Sequence, residues 1–278
     1  MVALLSIKLF NFFINCFMSA SFLITFREGL EAAVLVGILF SALRVFNDRK
    51  QNILLWSGVL AGVLASIGFA WLFEVFLGGF SGKTEKIYEG VLMFVAFGVI
   101  THMVLWMRKT SKNLKKELTD KVQQAFEKKE IWFIVALAFT SVVREGIETV
   151  IFLKAISVQS AQGVSGLGAS LGIVSAVALG FAIYYGMKSF PVKKFFQITG
   201  FLLIFIAAGL LAHGIVEFQG AGVLPTFVKP VFDLSPVLSE KEGLGAILKA
   251  IFGYDANPSL MAVLAYGVYL TWMRRQNR

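Results

Sequence analysis

The chain has 278 residues, 57% of them hydrophobic and only 15% charged, with a mean hydropathy of +0.77. That balance excludes an ordinary soluble domain and predicts an all-α, polytopic integral membrane protein. The formal net charge of +9 would suit nucleic-acid binding, but the placement of the basic residues, taken up below, argues against it.

Residues 1–19 form an N-terminal extension in which Lys8 precedes an apolar run. A signal peptide, an outer helix and an upstream translation start are all consistent with it; Met18 as the true start is favoured, because the first span is complete from Ser19 onward. Seven transmembrane helices are predicted, at roughly 20–43, 53–77, 86–107, 131–156, 167–188, 195–218 and 258–273. At about 1.5 Å per residue each can cross about 30 Å of hydrocarbon. The domain reading is a three-helix unit at 20–107, a basic cytoplasmic loop at 108–130, and a second three-helix unit at 131–218. An extracytoplasmic loop follows at 219–257, with a short amphipathic helix near Leu244 to Phe252, and then a seventh helix with a basic tail at 258–278.

The basic residues sort to one side of this layout. Arg44, Arg49 and Lys50 follow the first span; Arg108, Lys109, Lys112, Lys115, Lys116, Lys121, Lys128 and Lys129 follow the third. Lys188, Lys193 and Lys194 follow the fifth span, and Arg274, Arg275 and Arg278 end the chain. The positive-inside rule makes that side cytoplasmic, with the N-terminus outside and the C-terminus inside. The expected location is the plasma membrane, or the inner membrane of a bacterium. The opposite side is mildly acidic, with Glu74, Glu85, Glu89, Glu217, Asp233, Glu240, Glu242 and Asp255. Cys16 is the sole cysteine, which excludes an intrachain disulfide.

Two short runs stand out against the apolar background: Arg27-Glu28-Gly29-Leu30-Glu31 in the first span and Arg144-Glu145-Gly146-Ile147-Glu148 in the fourth. Ionised groups at membrane depth cost about 2.5–3.5 kcal/mol each on the insertion scale, so they are usually paired and functional. The neighbouring sequence repeats as well. Phe22 and Phe139 align, and the only two histidines, His102 and His213, sit at corresponding places in the third and sixth spans. Three spans per copy is an odd number, so the second copy enters from the opposite side. That predicts a 3+3 inverted repeat, with the site between the halves and the seventh helix outside it.

On a helical wheel Arg27, Glu31 and Glu28 fall within about 100°, and Arg144, Glu148 and Glu145 do the same. Arg27 and Glu31 are an i, i+4 pair, which leaves Glu28 as the carboxylate expected to be less compensated. If the repeat axis brings the two helices together, four carboxylates face two guanidiniums and net negative charge remains. Carboxylate oxygens are hard ligands suited to hard cations, and no thiolate is nearby. Incoming metal is expected to displace protons from the crowded acids. Gly29 and Gly146 remove bulk beside the acids and allow close helix approach.

The doubled motif, in the first and fourth of seven spans, resembles the high-affinity iron permease family, the oxidase-dependent iron transporters of fungi and their bacterial relatives. Phe232-Asp233-Leu234-Ser235-Pro236 and Gly253-Tyr254-Asp255-Ala256-Asn257-Pro258-Ser259 are similar to that family's segment before the last span. The resemblance implies a permease, not an enzyme, importing iron with Glu28, Glu31, Glu145 and Glu148 as metal ligands and Arg27 and Arg144 as ion-pair support. Fe3+ is favoured by the family analogy; the residues themselves do not separate it from Fe2+. No prosthetic group is expected, since iron is the cargo. An extracytoplasmic oxidase or iron-binding protein is the implied partner. A carrier of lead or manganese is the nearest alternative; a membrane metal-dependent oxidase is a weaker one, because the Glu-x-x-His motifs of di-iron bundles are missing.

Other candidates lie toward the ends of the path. His213 and Glu217, at i, i+4 spacing, and Glu85 with Glu89 are expected near the outer mouth, and His102 on the release side. Met93, Met103 and Met107 are expected to be packing residues.

Overall fold

In the computed structural model, the described residues are 20–44, 49–77, 79–110, 131–159, 163–184, 192–240 and 243–276, with Asp120 and Gln124. The extension at 1–19, with Cys16, and most of the basic segment at 108–130 lie outside them.

Eight α-helices and no strand occur among the described residues. They are α1 (Ala20–Arg44), α2 (Arg49–Leu77), α3 (Lys83–Thr110), α4 (Ile131–Gln159), α5 (Gly166–Tyr184), α6 (Val192–Gly220), α7 (Gly243–Phe252) and α8 (Leu260–Gln276). Three stretches are long and apolar enough to cross a membrane by length and composition: Ile53–Val75 in α2, Lys83–Met107 in α3 and Lys194–Gly220 in α6. Helices α1 and α4 are long enough, but every such window in them contains a charged motif. Gly166–Ala182 in α5 is apolar and shorter. Ile53, Leu60, Leu64, Ile67 and Trp71 on α2, and Val174, Val177 and Phe181 on α5, are large apolar side chains left exposed. Contiguous apolar faces of this kind fit lipid rather than water.

The helices pair across the sequence rather than along it. Helix α1 lies on α5, α2 on α4, and α3 on α6, while α1 also meets α4. Small residues set the first two contacts. A Cβ on Gly29 would come 2.9 Å from the Ala176 Cβ, and one on Gly180 would come 2.6 Å from the Ala33 Cβ. On the other pair, a Cβ on Gly58 would meet the Val135 carbonyl at 2.6 Å, and one on Gly146 would run into the Ser66 side chain. The close approach anticipated for Gly29 and Gly146 is therefore present, with α5 and α2 as the neighbours they admit. The Thr25 hydroxyl adds a hydrogen bond to the Ala169 carbonyl at 2.9 Å, tying α1 to α5.

The main core fills the space between α1, α3, α4, α6 and α8. Ile24, Met93, Ala96, Ile100, Phe152, Ile156, Ala207, Leu210 and Tyr269 are among its buried members. Tyr269 of α8 bonds Thr101 of α3 at 3.0 Å, so the last helix is anchored to the bundle by a satisfied polar pair. The stretches 221–240 and 253–259 fold back on each other: Val231 N donates to the Pro258 carbonyl and Leu234 N to the Ala256 carbonyl, both at 3.0 Å. The amphipathic helix expected in this segment is α7.

Candidate metal-binding site in the helix interior

Helices α1 and α4 carry the two motifs to a shared interface. Arg27 and Glu28 are both 0% exposed, Glu145 is 4% exposed, and Glu148 is also buried. One oxygen from each of Glu28, Glu31 and Glu145 lies within 4.8 Å of the others, close enough for one ion to touch all three. Glu148 is not in that group. Its Oε1 accepts from Arg144 Nε at 2.9 Å. The Oε2 atoms of Glu28, Glu145 and Glu148 are buried with no hydrogen-bond partner. Orphaned carboxylate oxygens are costly in a dry interior, and a cation coordinated there would satisfy them.

The two arginines behave differently. Arg27 Nη1 donates to Glu28 Oε1 at 2.7 Å, and Nη2 lies 2.8 Å from Glu31 Oε1. Glu28 is thus directly paired, contrary to the helical-wheel expectation. The wheel places backbone positions, whereas the long arginine side chain curls back to its immediate neighbour. In the second motif Glu145 is the less compensated acid, since Arg144 Nε is 3.9 Å from it. The Arg144 side chain is 44% exposed and its guanidinium sits 5.0 Å from the centroid of the Trp106 ring, in a cation–π arrangement.

Sequence reasoning missed the groups that α3 supplies. Met103 Sδ and Met107 Sδ each accept a hydrogen bond from Arg27, at 2.8 Å, and Trp106 lies between them in sequence. The available signal was the i, i+4 spacing of two methionines beside a tryptophan on a helix facing the motif; it reads equally well as packing. Met93 and Met103 are each 1% exposed in the apolar core, as expected, and Met103 contacts Arg27 in addition.

The remaining candidates stand apart from the carboxylates. His213 Nδ1 pairs with the Gly209 carbonyl at 3.0 Å, and the ring lines a cavity of about 340 Å³ with Phe232, Tyr254, Asp255 and Tyr266. Glu217 is half-buried, with Lys86 and Glu85 among its charged neighbours. Glu89 has Glu217, Glu85 and Lys86 as its own, so these acids form a mixed-charge group where α3 meets α6. His102 is exposed. Lys154 of α4 is paired with Glu74 of α2. In the segment before α8, burial pushes the Glu240 carboxyl up, but the Lys249 ammonium and the Ala256 N–H outweigh it and hold it below the usual carboxylate range.

A family profile described as "Iron permease FTR1 family" matches residues 18–275. Among curated proteins, "Ferrous iron permease EfeU" of Yersinia pestis is 37% identical over 255 residues, covering 91% of this chain and 90% of its own. The protein of the same name from Yersinia pseudotuberculosis serotype I (strain IP32953) is 37% identical over 251 residues, 90% of this chain and 88% of its own. That of Escherichia coli O6:K15:H31 (strain 536 / UPEC) is 36% identical over 255 residues, 91% and 92% respectively. No solved structure matches the chain.

Proposed function

This chain belongs to the iron permease FTR1 family, and from that premise we propose that it imports iron through the carboxylates of α1 and α4. The observation that carries the reading is the meeting of Glu28, Glu31 and Glu145 within 4.8 Å in a buried interface. A lone structural ion pair needs one acid per arginine. Here each arginine faces two acids, and three buried carboxylate oxygens lack a partner. Such a set is complementary to a multivalent cation bound by hard oxygen ligands.

In the proposed cycle the metal is captured by Glu28, Glu31 and Glu145, displacing arginine contacts and any protons held there. Glu148 is the next carboxylate along α4 and receives the ion from Glu145. One three-helix half then rocks against the other. The exchanged packing, α1 on α5 and α2 on α4, supports an inverted repeat, because it is the pattern a two-fold relation between 20–107 and 131–218 would generate. The proposed topology has seven spans, with the N-terminus outside and the C-terminus cytoplasmic, supported by the one-sided placement of lysine and arginine.

The fungal resemblance favours Fe3+, while the bacterial relatives bear the name of ferrous permeases. A partner protein outside the membrane would set the oxidation state delivered. The deciding experiment is radioactive iron flux into liposomes containing only this chain, with Fe2+ and Fe3+ supplied separately, the pH gradient varied, and lead and manganese as competitors. Flux of iron that the other metals do not outcompete is the expected result. No flux of either iron ion under any gradient would overturn the assignment.

A further inference from the structure

We infer that Met103 and Met107 are positioning residues for transport, holding the Arg27 guanidinium so that it can release its two carboxylates to the metal. This rests on the reading that Glu28 and Glu31 take part in binding the cargo.

The Arg27 side chain is only 1% exposed, which shuts it off from bulk water. Nη1 is shared between Glu28 Oε1 at 2.7 Å and Met103 Sδ at 2.8 Å. Nη2 is shared between Glu31 Oε1 and Met107 Sδ, both at 2.8 Å. Nε is buried without an acceptor. Each terminal nitrogen therefore has one anionic partner on its own helix, a hydrogen bond to Glu28 for Nη1 and an ion-pair contact with Glu31 for Nη2, and one weak neutral acceptor on α3.

A metal that takes the carboxylates of Glu28 and Glu31 removes both anionic partners at once. A buried guanidinium left with nothing would be very unfavourable, and the metal would have to offset that cost. The two thioethers remain in place and keep the cation partnered. Arg144 has no such need: it is half exposed and rests against Trp106. The asymmetry explains why the α1 motif, the drier of the two, is the one facing a methionine pair.

The test uses Leu and Gln in turn. M103L/M107L preserves apolar bulk and removes both sulfur acceptors. M103Q/M107Q restores an acceptor of similar reach as an amide oxygen. In liposome flux with radioactive Fe2+, and with Fe3+ in parallel, the leucine variant is expected to raise KM about tenfold with Vmax within about twofold of the parent. The glutamine variant is expected to return KM to within about threefold of the parent. M107Q alone, at the less buried position, substitutes if the double amide does not assemble, and a monodisperse detergent profile confirms that each variant is folded. A folded leucine variant with unchanged KM would overturn the inference, since packing alone would then account for the sulfurs. A glutamine variant as weak as the leucine one would overturn it too, because it would make the sulfurs themselves the requirement. An unmodified chain that moves no iron would refute the underlying transport assignment instead, and a normal parent with an indifferent leucine variant would refute this inference only.

Discussion

Glu28 of α1 and Glu145 of α4 bring carboxylate oxygens within 4.8 Å of each other across a buried helix interface, although 116 residues separate them in the chain. Two ionised acids repel each other strongly in a dry interface, so the pair needs either held protons or a cation.

Glu28→Gln and Glu145→Gln each retain size and hydrogen-bonding capacity while removing a charge from the three-carboxylate group. Both are expected to abolish iron flux in liposomes, with membrane insertion and detergent behaviour unchanged. Parent-level flux by either purified variant would show that the metal takes another route.

Removing the two arginines should have unequal consequences. Arg27→Ala leaves Glu28 and Glu31 without their buried partner, a loss of about 3–5 kcal/mol by the usual penalty for breaking a buried pair. Arg144 is 44% exposed, and Arg144→Ala is expected to cost far less, within the range of partly solvated pairs, about 1 kcal/mol. Thermal unfolding in detergent measures both, and equal shifts would contradict the asymmetry of burial.

Gly146→Ala would press a methyl group into Ser66 on α2. Overpacking of this kind typically costs about 1–3 kcal/mol. Reduced thermal stability and reduced flux are expected, and the second-site change Ser66→Gly should recover both by removing the obstructing side chain. Failure of Ser66→Gly to rescue would mean that the glycine is needed for some reason other than the α2–α4 contact.

The segment before α8 supplies a pH test. The Glu240 carboxyl, held low by Lys249 and the Ala256 N–H against the opposing effect of burial, is charged when folded. A depressed folded value stabilises above the unfolded carboxylate range, near about 4.3, and that contribution fades as pH falls through the folded value. Protease sensitivity of residues 221–259 should therefore stay flat from neutral pH to about 5 and rise only below about 4. Glu240→Gln should show the raised sensitivity already at neutral pH.

Much of this protein was legible in its residues. Charge within apolar runs is a local property, so the two motifs marked the two helices that meet in a buried interface and the acids that face each other there. One-sided lysine and arginine gave the proposed orientation, and the amphipathic stretch that became α7 was readable from its period and flanking prolines. What the sequence could not decide was which side chains share a contact across helices. The wheel misjudged Glu28 because rotamers lie beyond backbone phase, and Met103 and Met107 passed as packing because thioethers look alike in a core and beside a cation. His213 and Glu217, one turn apart on α6, keep different company, one lining a cavity with Asp255 and the other among Lys86 and Glu85. Composition and spacing fix the chemistry each helix can offer. The long-range packing of α1 against α4 and α3 fixes which of those groups meet, because contacts between distant segments depend on surfaces that exist only once the helices are assembled.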